Sequence, residues 1–309
     1  MKTRIQKKNC VAIIGKDEKV GKLFAEKLHM PIAKRVLDFF SDGESHVQIL
    51  DDIAGKDVFI IQSTHTPIDE RLFPALLLAD ASRRGFANSV TLITPYFGYS
   101  RQDRMAEPNT PISSKVIADI MNSVGINHVV TVDLHSAQTQ GFFDMTIENI
   151  DTNQLFADYI KKHIKTQNLA IVSPDAGGAK RARKIADLIG CKEVILLDKN
   201  RYAKNKSSVM NIIGNPAEKD LVIVDDIIDT AGTISNAAQA LKDHGGKKVF
   251  IIATHPVFSG QALENLSSDS IDKVIVTNTI PLSKTLPKIQ VLDISDLLVE
   301  NIYNKNTEV

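Results

Sequence analysis

Short runs of valine, isoleucine and leucine, unbroken rather than alternating with polar residues, constrain the fold of this chain most. In the first half they are VFIIQS from Val58, VTLITPY from Val90 and HVVTVDL from His128. In the second half they are LAIVSPD from Leu169, EVILLD from Glu193, LVIVDD from Leu221, KVFIIATH from Lys248 and KVIVTNT from Lys273. A strand with one wet face alternates, whereas a strand covered on both faces is apolar at every position. Between the runs lie helical patterns such as TISNAAQALKDHGG, which ends at Gly245 and Gly246 with Lys242 and His244 in its last turn. Strand, helix and strand repeated in this way predict an α/β chain of mostly parallel, doubly wound sheets. In such sheets ligands bind at the carboxyl ends of the strands, so residues just after each run are the first candidates for function.

The 309 residues suit two domains. VFIIQSTHTP from Val58 resembles VFIIATHPVF from Val249, which agrees with two similar halves. The boundary is placed after the acidic stretch FFDMTIENID. This gives an N-terminal domain over 1–149, a C-terminal domain over 150–290 and a last segment, 291–309, expected to pack back on the first domain.

Lysine plus arginine equals aspartate plus glutamate, 37 against 37, so no global field draws nucleic acid or anionic lipid. Aromatics are 6% of the chain and tryptophan is absent, which argues against base-stacking nucleic-acid recognition. Cys10 and Cys191 form no CxxC motif or disulfide framework, and a reducing compartment follows. The apolar run VAIIG is too short for a secretory signal, and no stretch reaches the length of a membrane span. The chain reads as soluble and cytoplasmic, with no nucleic-acid or membrane partner.

VIVDDIIDTAGTI, residues 222–234, places Asp225, Asp226 and Asp229 around a strand end and follows them with Thr230, Ala231, Gly232 and Thr233. Gly232 permits close backbone approach or positive φ. Backbone N–H groups and two threonine hydroxyls before a helix N-terminus form an anion nest. The carboxylates cannot hold phosphate, but they can accept hydrogen bonds from vicinal sugar hydroxyls. The stretch therefore suits a ribose 5-phosphate unit, phosphate on the loop and diol on Asp225 and Asp226. The bland alternative is an acidic strand end capping a helix.

The segment resembles the binding loop shared by phosphoribosyltransferases and ribose-phosphate diphosphokinases. Further stretches resemble the diphosphokinases alone: FFSDGE at 39–44, PYFGYSRQDRM at 95–105, VDLHSAQTQGFFD at 132–144, SPDAGGAKRARKIAD at 173–187 and LDKNRYAKNKSS at 197–208. Taken without the resemblance, SDG is a common turn, RQDR a solvated face, His135 a structural hydrogen-bonder and 197–208 a basic loop.

The resemblance implies a phosphoribosyltransferase-like fold and transfer of the β,γ-diphosphoryl group of ATP to the C1 hydroxyl of ribose 5-phosphate. It implies ATP contacts at Phe40, Asp42, Gly43, Glu44, Arg101 and Gln102, with the FSDGE turn serving a neighbouring subunit. Mg²⁺ would be held near His135 and Asp175. Lys199 and Arg201 would be the catalytic cations of a mobile lid, Arg201 also touching the sugar phosphate. Ribose 5-phosphate would meet Asp225, Asp226, Asp229, Thr230, Ala231, Gly232 and Thr233. A homohexamer is the family expectation.

Three departures stand out. Ala176 occupies the place of a family histidine, MAEPNT at 105–110 replaces a basic run, and DISD at 293–296 replaces a Ser-Val-Gly-Pro-like turn linked to regulatory phosphate. Weakened phosphate activation and ADP allostery are expected from the last. Two other readings remain open at this level: a phosphoribosyltransferase, and a non-catalytic regulatory homologue.

Overall fold

The computed structural model describes residues 9–165, 167–199 and 210–303. They form two compact units. The first holds the described residues up to Ile150 together with Thr279–Pro281 and those from Asp293 on, and the second holds Asp151–Asn278 and Leu282–Leu292.

In the first unit a parallel five-stranded sheet has the order β1 (Cys10–Ile14), β4 (Asp57–Ile61), β5 (Ser89–Ile93), β6 (His128–Val132) and β7 (Thr146–Ile150). An antiparallel ribbon of β2 (Arg35–Phe39) and β3 (Ser45–Ile49) stands apart as its own two-stranded sheet. Helix α1 (Glu18–Lys27) packs on β1 and β4, whereas α2 (Asp69–Arg84) packs on β3, β4 and β5. Val58, Ile60, Val90 and Leu92 share one core with Leu72, Ala75 and Leu76 of α2 and with Ala118 and Met121 of α3 (Ser113–Ser123).

The second unit opens with α4 (Asn153–His163) and then β8 (Leu169–Ser173), α5 (Ala179–Ile189) and β9 (Val194–Lys199). Then come β10 (Met210–Ile213), β11 (Asp220–Ile228), α6 (Gly232–Asp243), β12 (Val249–Pro256), α7 (Ala262–Leu266), β13 (Lys273–Thr277) and β14 (Ile289–Leu292). The strand order is β10-β9-β8-β11-β12-β13-β14, parallel except for β10. The unbroken apolar run of β11 is explained by its two covers. Leu221 and Ile223 pack with Ile234, Ala237 and Leu241 of α6, whereas Val222 and Val224 pack with Phe156 of α4 and Ile185 of α5. A charge at any of these positions would be buried whichever face it took.

From β8 the chain leaves through α5 to β9 on one side, and from β11 it leaves through α6 to β12 on the other. The sheet order thus reverses between β8 and β11. Diverging crossovers open a crevice at the carboxyl ends of those two strands, the place where α/β sheets bind ligands. Helix α8 (Ser295–Tyr303) packs on α1 and β7 in the first unit, with Lys27 and Asp296 paired at 2.9 Å.

Candidate active site

The acidic stretch does not end its strand where the sequence suggests. β11 runs on to Ile228, because Asp225, Ile227 and Ile228 still pair with Ala253, His255 and Pro256 of β12. Its pairing with β8 stops at Ile223. Asp225 and Asp226 therefore lie within a strand that has lost one neighbour, at the reversal between β8 and β11. Asp175 follows β8, accepts the Gly178 N–H at 2.9 Å, and so braces the entry to α5. The negative charges of Asp226 and Asp175 both bear on Asp225. Burial first, then Asp226 and finally Asp175, raise the Asp225 carboxyl to about 8.

The helix also begins earlier than read from sequence. Gly232 and Thr233 are the first residues of α6, leaving only Asp229, Thr230 and Ala231 as the loop. The left-handed residue is Ala231, with φ 61°, and Gly232 needs no special φ. Ala231 tolerates this conformation because its methyl is buried in the core with Ile228 and Ile234. A Cβ at position 232 would meet Asn265 Nδ2 at an ordinary 3.8 Å, so the fold does not demand glycine there. What remains for Gly232 is a bare backbone that something else can approach. The first N–H groups of α6 have no acceptor within the helix and carry its positive dipole end.

Two groups that sequence reasoning passed over hold this loop. Asn265 Nδ2 donates to the Thr230 carbonyl at 2.8 Å, and the Ser259 hydroxyl donates to the Asp229 carboxylate. Phe258 N–H also reaches the Ile228 carbonyl at 3.1 Å. Both side chains come just after β12, a strand end like those singled out, but FSGQALEN carries no charge pattern that would mark it.

In the first unit the expected ATP residues divide between two places. Phe40, Asp42, Gly43 and Glu44 form the turn of the β2–β3 ribbon, not the carboxyl edge of the sheet. A sequence rule built on parallel strands cannot foresee that an antiparallel ribbon is inserted after α1. Phe40 N–H donates to the Glu44 carbonyl at 2.8 Å, the Glu44 N–H donates to Asp42 at 3.1 Å, and Gly43 supplies the φ of 93°. Phe40 is 53% exposed.

Arg101 and Gln102 do lie at the sheet edge, in the loop after β5, and both are exposed. That loop is tied down at Gly98, whose N–H donates to Thr64 Oγ1 at 2.7 Å. A Cβ on Gly98 would stand 2.5 Å from the Thr64 carbonyl oxygen, so only glycine fits. Ser113 donates to Gln102 Oε1 at 2.6 Å, which turns the amide so that its NH₂ remains a donor.

His135 is exposed two residues beyond the buried Asp133, just past β6. It and Asp175 belong to different units, and no group of three or more metal-type side chains occurs among the described residues. Each is a single ligand in its own unit, and a lone imidazole or carboxylate fits a hard cation only in its sparse mode, with waters and phosphates completing the shell. Lys199 ends β9, but its side chain and the whole of Arg201 lie outside the described residues.

Residues 11–125 match the family model for the N-terminal domain of ribose phosphate pyrophosphokinase, and 192–308 match the phosphoribosyl synthetase-associated domain. A ribose-phosphate pyrophosphokinase of Campylobacter jejuni is 49% identical over 89% of this chain and 88% of its own. This chain belongs to the ribose-phosphate pyrophosphokinase family. The enzyme of that name from Helicobacter pylori is 46% identical over 91% of this chain and 88% of its own length. The crystal structure of phosphoribosylpyrophosphate synthetase from Mycobacterium smegmatis superposes with a TM-score of 0.91 at 33% identity, over 95% of this chain and 97% of that one. The pyrophosphokinase fold, two α/β units built on mostly parallel sheets, is thus the fold of this chain, and nucleotide biosynthesis is the setting of the family.

Proposed function

We propose that this chain transfers the β,γ-diphosphoryl group of ATP to the C1 hydroxyl of ribose 5-phosphate, giving 5-phosphoribosyl 1-diphosphate and AMP. The observation that carries the residue-level reading is the reversal between β8 and β11. It sets a row of carboxylates beside a helix N-terminus that begins directly after a left-handed alanine. Phosphate belongs on the amides and hydroxyls of Thr230, Ala231, Gly232 and Thr233, and the sugar diol on Asp225 and Asp226. The Asp225 carboxyl is raised to about 8, first by burial and then by Asp226, which sets the two acids close enough together to meet two vicinal hydroxyls.

Phosphoryl transfer asks little covalent chemistry of a protein, so alignment and charge neutralisation dominate. Arg101 and the free face of the Gln102 amide would engage the triphosphate. Lys199 and Arg201 would cover the transferred group. His135 in the first unit and Asp175 in the second would each be a ligand for Mg²⁺, which when bound would supply positive charge to phosphate oxygens. The exposure of Phe40 supports a role for the FSDGE turn in a neighbouring subunit's site, and a hexamer is carried over as the family's expectation alone. No described helix is long and apolar enough to cross a membrane. The compartment we assign is the cytosol.

The test is AMP formation from ATP with and without ribose 5-phosphate. AMP should appear only when both are present, in step with the sugar diphosphate. AMP made without the sugar phosphate, or none with it, would sink the reading.

A further inference from the structure

The loop that is to take the sugar phosphate is not rigid on its own account. Ala231 stands at φ 61°, a left-handed conformation that is unfavourable for a residue with a Cβ. Its backbone must hold that bend while leaving the α6 amides facing outward. The carbonyl before it, on Thr230, takes its hydrogen bond from Asn265 at 2.8 Å. The carboxylate before that, on Asp229, takes one from Ser259. The peptide just upstream is tied as well, through Phe258 N–H and the Ile228 carbonyl at 3.1 Å. All three donors come from one stretch, residues 258–265, which is itself anchored by the fully buried Ala262 and Leu266 of α7.

We propose that Asn265 and Ser259 are positioning residues for ribose 5-phosphate, a deepening that rests on the loop assignment made above. Neither touches the sugar phosphate. They fix the Thr230 peptide and the Asp229 carboxylate so that the bend at Ala231 exists before the ligand arrives. Preorganisation of this kind is read as affinity for one substrate, because the ordering cost has already been met. Asn265 is well chosen for the task. Its amide supplies a neutral donor beside an incoming dianion, where a carboxylate would repel it. Its Nδ2 lies alongside the first turn of α6, 3.8 Å from where a Cβ on Gly232 would stand.

The experiment uses the full chain and compares Asn265→Ala and Ser259→Ala with the unaltered protein. Calorimetry gives the Kd for ribose 5-phosphate alone, and steady-state kinetics give KM for each substrate and kcat. Loss of one hydrogen bond to the loop should weaken ribose 5-phosphate on the order of five- to tenfold in Kd and KM. KM for ATP should not move. Asn265→Gln, which keeps the donor on a longer arm, should recover part of the affinity. Should Asn265→Ala fail to fold, Ser259→Ala, which removes a single oxygen, carries the same test. Unchanged ribose 5-phosphate affinity in folded variants overturns the inference and leaves the loop assignment standing. Equal weakening of both substrates, the mark of a general loss of structure, overturns it too. An unaltered protein that shows no affinity for ribose 5-phosphate removes the loop assignment, and the inference with it.

Discussion

Asp225 accepts a hydrogen bond from the backbone N–H of Asp226 at 2.8 Å, and yet the Asp226 side chain is the chief charged neighbour raising its pKa. The amide favours the carboxylate form, but burial, the adjacent carboxylate and Asp175 together outweigh it. A chain selected only for stability would not keep acids crowded at a strand that has lost one partner.

That crowding has a pH signature. The Asp225 carboxyl rises from 3.8 to about 8 on folding, so its proton stabilises the folded state fully below pH 3.8. The contribution is lost as pH climbs through 8. Asp225→Asn keeps the shape without the charge. It should raise Tm at pH 8.5 by at least about 2–4 °C, the shift that goes with about 1 kcal/mol in a chain of this size, and by almost nothing near pH 4. It should also weaken ribose 5-phosphate binding. Thermal melts across pH decide the first point, and a gain independent of pH would contradict it.

His65 carries the opposite dependence. Its ring is buried at the end of β4, with Asp17 at 3.6 Å and Arg71 close by. Burial lowers its pKa to about 4, Asp17 opposes that, and Arg71 adds to the lowering. Folding therefore favours the neutral ring. Its contribution is whole above pH 6.5 and is lost as pH falls from 6.5 toward 4, amounting to about 2 kcal/mol by pH 5. Urea midpoints of the unaltered protein should drop between pH 7.5 and 5. In His65→Gln the drop should be smaller by that amount, and parallel curves would rule His65 out as the cause.

Lys199→Ala should bind ATP almost normally while kcat falls by roughly 10³-fold or more, as when a charge-neutralising cation is withdrawn from a phosphoryl transfer. Nucleotide binding measured beside turnover separates these effects. Near-full turnover would remove Lys199 from the mechanism.

The acids of DISD are engaged in structure. Asp293 accepts the Ser295 N–H at 2.9 Å as α8 begins, and Asp296 pairs with Lys27 of α1. Carboxylates so placed should repel a regulatory phosphate. Initial rate plotted against inorganic phosphate should accordingly be shallow, and a steep activation would refute this.

The sequence by itself determined the parallel α/β architecture. Leu221–Val224 and its counterparts are apolar on both faces, broken only by an occasional buried threonine such as Thr91 or Thr131, and only strands covered on both faces can bury that pattern. It also determined which residue types gather after those strands, because strand ends are where polar groups reach solvent. Half-wet elements escaped it. The ribbon carrying Phe40, and the edge strands β7, β10 and β14, bury too little to show a continuous run. Tertiary structure alone decided that β8 and β11 flank the reversal of the sheet, which brings the charge of Asp175 to bear on Asp225. It alone put the left-handed bend on Ala231 and not on Gly232, and supplied Ser259 and Asn265 from beyond β12 to hold it. The reason is physical. Local pattern specifies which face of an element is apolar, whereas the partners of a loop are fixed by strand order and packing between segments far apart in the chain.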